Sequence, residues 1–132
     1  MGAWGHRSFE NDSALDWFGD LEDGDASLVG EILDAVGGAG ADDYLEVDEA
    51  SAALAAAELV AAALGKGDDR LDESAAAWLA GHRDAVRAIG AVRARRAVER
   101  VFANSELREL WDENGDDTAW HVDVRALIAR LA

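Results

Sequence analysis

Residues 50–64 read Ala-Ser-Ala-Ala-Leu-Ala-Ala-Ala-Glu-Leu-Val-Ala-Ala-Ala-Leu, with Glu58 as the one charge among fifteen side chains. Alanine is the strongest helix former and the stretch holds no turn signal, so a helix is expected. Asp48 stands where an N-cap is wanted, and Gly65-Lys66-Gly67-Asp68-Asp69 reads as the loop beyond Leu64. A helix apolar on every side has no face to give to water. Its small side chains also let neighbours approach closely, which places it at the centre of a helical bundle. The stretch is shorter than the ~20 residues of a membrane crossing, and Ser51 and Glu58 interrupt it.

Helical periodicity continues on both sides. A first helix is expected over Asp12–Glu22, with Asn11, Asp12 and Ser13 as candidate caps and Ala14, Leu15, Trp17, Phe18 and Leu21 on one arc. A second, Ala26–Val36, presents Leu28, Val29, Ile32, Leu33 and Val36, and Gly37-Gly38-Ala39-Gly40 ends it. Asp72 caps a fourth, Glu73–Ala80, for which Gly81 is the expected stop. Over Asp84–Ala103 the apolar residues lie on two faces: Val86 and Ile89 on one, Ala94, Val98 and Val101 on another. Either this helix bends near Gly90, or it is central and meets different partners along its length. A short helix follows at Glu106–Asp112 and a last one at Thr118–Leu131. The expected fold is all-α, a single domain over 1–132 of six to seven helices packed at mixed angles as an orthogonal bundle.

Composition narrows the chemistry. With no cysteine there is no disulfide, thiolate zinc site or thiol nucleophile. The net charge is −16, and fourteen acids against one base give residues 1–50 a net −13. Such a field repels nucleic acid and anionic membrane and speeds encounter with a basic partner or a cation. Residues 83–100 reverse the sign, with six arginines against two acids, +4. Arg93, Arg96 and Arg100 share a helical face there, and pairing with the chain's own carboxylates, Glu58 among them, is the expected use.

Loops Asp20–Glu31 and Asp112–Asp123 approximate a calcium loop, but glycine is absent from the sixth position of each and the second ends in a short Asp. The histidines, His6, His82 and His121, lack the i, i+4 spacing of a helical metal pair. No Gly-x-Ser-x-Gly elbow is present, and Gly37–Ala41 lacks the Lys-Ser/Thr of a phosphate loop. Neither a cofactor nor a metal is expected. At the start of the chain, His6 stands where myristoylation needs Ser or Thr. Gly2-Ala3-Trp4-Gly5 reads instead as a hook over residues 1–10, in which Trp4 docks on the bundle and Phe9 packs against the first helix. The first fifteen residues hold no apolar run behind a basic start, so a cytoplasmic protein is expected.

The opening Met-Gly-Ala-Trp-Gly, the Phe9-Glu10-Asn11-Asp12 that follows and the Ser105-Glu106-Leu107-Arg108-Glu109-Leu110-Trp111 element resemble a bacterial family, domain of unknown function 4259. The resemblance implies a small helical protein and carries no catalytic residue with it. Its matching positions are Trp4, Phe9, Asn11, Asp12, Ser105, Glu106, Leu110 and Trp111, which either line a site or form a fold nucleus. The functional expectation is a non-enzymatic protein-binding or regulatory module, monomeric or homodimeric, whose protein partner is basic if charge selects it. Its sharper form is an immunity- or antitoxin-like inhibitor of a basic effector. The competing class is a small enzyme or metal-dependent binder built on His6, Asp12, Glu106 and His121.

Overall fold

In the computed structural model of the chain, residues 8–9, 11–66, 71–115 and 118–132 are described. Among these residues seven helices follow one another: α1 (Asp12–Asp23), α2 (Ser27–Gly37), α3 (Val47–Ala63), α4 (Glu73–Ile89), α5 (Ala91–Ala103), α6 (Glu106–Asp112) and α7 (Ala119–Arg130). The alanine-rich α3 is the axle. Every residue from Ala50 to Ala63 is buried, and α3 touches each of the other six helices. Burial on all sides follows from alanine's size, because a methyl group keeps no neighbour at a distance. One apolar core joins Phe18 and Leu21 of α1, Val29 and Leu33 of α2, Leu79 and Val86 of α4, Val98 and Val101 of α5, Leu107 of α6 and Trp120 and Leu127 of α7. The all-α single domain stands. Among the described residues no helix is long and apolar enough to cross a membrane.

Two boundaries differ from the sequence expectation. Gly81 does not stop α4, which runs on to Ile89 because Val86 continues the buried face begun by Ala75 and Leu79. The stop is Gly90, whose φ of +87° suits a residue without Cβ. The bend considered for Asp84–Ala103 is therefore a complete break. It puts the two apolar faces on separate helices, α4 and α5, and both pack on α3.

The second difference is the start of α3. Val47 is already helical and Glu46, not Asp48, is the cap. The Val47 N–H donates to Glu106 Oε1 of α6 at 2.8 Å, a partner that lies 59 residues away in the chain. Asp48 instead accepts the Ser13 hydroxyl at 2.6 Å, fastening α1 to α3.

Helices α2 and α5 pack closely through two glycines seven residues apart, hence on one face of α2. A Cβ on Gly30 would lie 2.7 Å from Arg93 Nη2, and one on Gly37 would lie 3.2 Å from Arg96 Cγ. The glycine run that resembled a phosphate loop thus begins at a point of helix contact. Trp4 and the rest of the 1–7 segment, with Glu10, lie outside the described residues, and so does the docking of Trp4; Phe9, the other anchor of the expected hook, is buried against Phe18 of α1.

Candidate functional site

Of the residues that carried the family resemblance, Phe9, Asn11, Asp12, Ser105 and Glu106 lie at the starts of α1 and α6. Phe9 is buried and meets Phe18 edge to face at 5.9 Å. Asn11 caps α1, its Oδ1 accepting the Ala14 N–H at 2.8 Å, and Asp12 is an exposed acid in the first turn. Ser105 is buried and acts twice. Its hydroxyl donates to Val101 O at 2.8 Å and accepts the Arg108 N–H at 3.1 Å, joining the end of α5 to the start of α6. Glu106 closes the circuit, since its backbone N–H donates to Leu45 O at 2.9 Å while its carboxylate caps Val47. Leu110 and Trp111 are half-buried, and Trp111 lies parallel to Trp120 at 6.3 Å. These contacts are helix caps and packing contacts between helices. Trp4, the remaining member, lies outside the described residues.

The histidines are dispersed. His82 is exposed and stacks on Trp78 at 4.2 Å, and His6 is outside the described residues. His121 is fully buried between a carboxylate and a hydroxyl: Nε2 lies 2.6 Å from Asp112 Oδ1 and Nδ1 lies 2.7 Å from Thr118 Oγ1. With Nε2–H donating to Asp112, Nδ1 accepts from Thr118, which caps α7. Sequence reasoning missed this triad although its signal was present: Thr118 and His121 have capping-box spacing, with imidazole in place of the usual Glu. The hydrogen bond from His121, with Arg108 beside it, holds the Asp112 carboxyl below its ordinary value of 3.8. A depressed folded-state pKa stabilises above the unfolded value and loses that contribution as pH falls through the folded one. Urea midpoints should therefore fall more steeply below pH 3.8 for the natural protein than for Asp112→Asn. Parallel acid limbs would show that the contact contributes nothing.

Asp112 was also the first position of the second calcium-like loop, and in the fold it is engaged by His121. Asp116 and Asp117 lie outside the described residues. Among the described residues no three His, Asp or Glu side chains are grouped to hold a metal. Of the polar set considered for an enzyme, Glu106 serves Val47, His121 serves Asp112 and Thr118, Asp12 is exposed, and His6 lies outside the described residues.

Four of the six arginines of α4 and α5 bond to the chain itself, while Arg87 and Arg96 are exposed and make no ion pair among the described residues. Arg93 clasps Asp34 through Nε at 2.9 Å and Nη2 at 2.7 Å. Arg95 pairs with Glu99 at 3.5 Å, and Arg100 donates to Gly40 O at 3.0 Å as well as to Asp43 O and Asn104 O. Arg83 donates to Ala62 O at 2.9 Å, a cation at the C-terminal end of α3. Glu58 is the exception to the expected pairing. Its partner is Arg130 of α7, at 2.9 Å, rather than any arginine of α5. The Ser8 hydroxyl donates to the other Glu58 oxygen at 3.5 Å.

A family model described as Domain of unknown function (DUF4259) matches residues 2–123, from ahead of α1 into α7. The chain belongs to the DUF4259 family. No curated protein and no solved structure matches it. For this DUF4259 chain the feature left over after internal pairing is the acidic surface of α1, α2 and the start of α3. No lysine or arginine occurs from residue 8 to residue 65. Asp12, Asp16, Asp20 and Asp23 line one exposed side of α1 at i, i+4, i+8 and i+11, and Asp25, Glu31, Asp42, Asp43, Glu46, Asp48 and Glu49 are exposed as well. Among the described residues, Asp34 is the one acid of this region in an ion pair.

Proposed function

We propose that the chain is a non-enzymatic, cytoplasmic protein-binding module whose acidic face docks a basic protein partner. The observation that carries this reading is the partition of charge. Arg93, Arg95 and Arg100 of α5 hold the chain's own carboxylates and carbonyls, while the acids of α1 project outward from a segment without a base. Complementary charge raises the association rate and suppresses wrong partners, and it asks nothing of a catalytic pocket. In its sharper form the partner is a basic effector, and the acidic face covers its cationic working surface as an immunity-type inhibitor.

Capture from host extract tests the reading when natural protein is compared with a variant carrying Asp16→Asn, Asp20→Asn, Glu22→Gln and Asp23→Asn. The natural protein is expected to retain a partner at low ionic strength and release it near ~0.5 M salt, where screening shortens to roughly 4–5 Å. The variant is expected to retain little. Equal capture by both proteins, or none by either, overturns the proposal.

A further inference from the structure

Between α2 and the corner where α4 meets α5 runs an open groove of about 460 Å³. Its floor is apolar, formed by Ala26, Ala85 and Ile89, and its rim carries Glu31, Asp34 and Arg93. We infer that this groove receives a lysine or arginine side chain of the basic partner, an inference that rests on the acidic-face reading and gives it a specific anchor point.

Charge decides the sign of the occupant. A groove with an arginine and a helix N-terminus beside it would ordinarily attract an anion. Both attractions are already answered from within the chain. Arg93 is held by Asp34 through two hydrogen bonds, and the Ser27 N–H at the start of α2 donates to Asp25 Oδ1 at 2.8 Å. Glu31 remains on the rim, exposed, with only the Ser27 hydroxyl near it at 3.3 Å. Glu31 and Asp34 against Arg93 leave one net negative charge among the residues that line the groove, and Glu31 carries it.

A lysine or arginine side chain has the matching form, an apolar stem several methylenes long and a cation at its tip. The stem covers Ala26, Ala85 and Ile89 while the tip reaches Glu31. Arginine is also among the side chains that dominate binding energy at protein interfaces.

The probe is a hexa-arginine peptide titrated into isotopically labelled protein, with amide shifts mapped at low salt. A hexapeptide of 2,3-diaminopropionic acid, with the same charge number and almost no stem, is the comparison. Shifts are expected to centre on residues 26–34, 85 and 89, and the stemless peptide to bind about tenfold more weakly. Glu31→Gln removes a rim charge and Ala85→Phe fills the floor without changing charge. Each is expected to weaken hexa-arginine roughly tenfold, whereas Glu113→Gln, an equal charge loss at the exposed end of α6, changes it by less than about twofold.

Binding that spreads over α1 and the 42–49 segment, with equal affinity for both peptides and all variants, overturns the groove and leaves the acidic-face reading in place. Absence of hexa-arginine binding at low salt overturns both.

Discussion

Arg130→Met is expected to lower unfolding free energy by about 3–5 kcal/mol, the usual cost of leaving one member of a buried ion pair alone. Glu58 is 1% exposed on the central helix, and Arg130 Nη1 reaches it at 2.9 Å from the last turn of α7. Among the described residues its other partner is the Ser8 hydroxyl at the longer distance of 3.5 Å. Without the guanidinium the carboxylate must stay charged among alanines or take up a proton, and either outcome costs free energy. Arg130 also donates to Lys66 O at 3.1 Å, so its removal frees the loop after α3 as well. Removing both charges should behave differently. Glu58→Leu combined with Arg130→Met replaces a desolvated pair by apolar surface and is expected to recover most of the loss. Urea unfolding of the two single variants and the double variant gives the coupling directly. A single-variant loss under about 1 kcal/mol would place the pair in the class of surface salt bridges.

Trp120→Ala should cost a comparable ~3–5 kcal/mol, for a different physical reason. Trp120 is 2% exposed and is the ring where three helices meet. Trp111 of α6 lies parallel to it at 6.3 Å, Phe102 of α5 at 6.1 Å and His121 edge-on at 5.1 Å. Truncation removes the indole from these contacts and leaves a cavity that the short α6 cannot close without pulling Ser105 and Glu106 from their caps. The reporter is already in place: the emission of half-buried Trp111 should shift to the red as its neighbour disappears. Trp120→Phe keeps a ring at the junction and should cost less. An unchanged thermal midpoint for Trp120→Ala would mean that α6 and α7 are held without it.

The residues that drew attention in the sequence are thereby divided by the fold. Phe9, Asn11, Ser105 and Glu106 pack against or cap the helices beside them. The acidic face is different. It was legible as composition, but its meaning depended on where the arginines went. Arg93, Arg95 and Arg100 could have met those acids in bulk; instead they meet Asp34, Glu99 and the carbonyls at 40, 43 and 104. The groove under Glu31 was not legible at all. Ala26, Ala85 and Ile89 form one floor only because α4 breaks at Gly90 and returns α5 alongside α2.

What the sequence determined by itself is whatever is decided within about one turn of helix. The alanine run could form only a helix that buries all its sides, and Asn11, Asp72, Ser105 and Thr118 cap the helices that begin beside them. Contacts between residues distant in the chain were left to the tertiary structure. Gly81 and Gly90 are the same residue type in the same stretch, yet the burial of Val86 carries α4 through the first and ends it at the second. Asp48 had the side chain of a cap, but α3 begins earlier because Glu106 reaches Val47. Glu58 could have answered any of eleven arginines. Arg130 meets it because the packing of α7 on α3 brings together two residues 72 positions apart, a distance that no local rule spans.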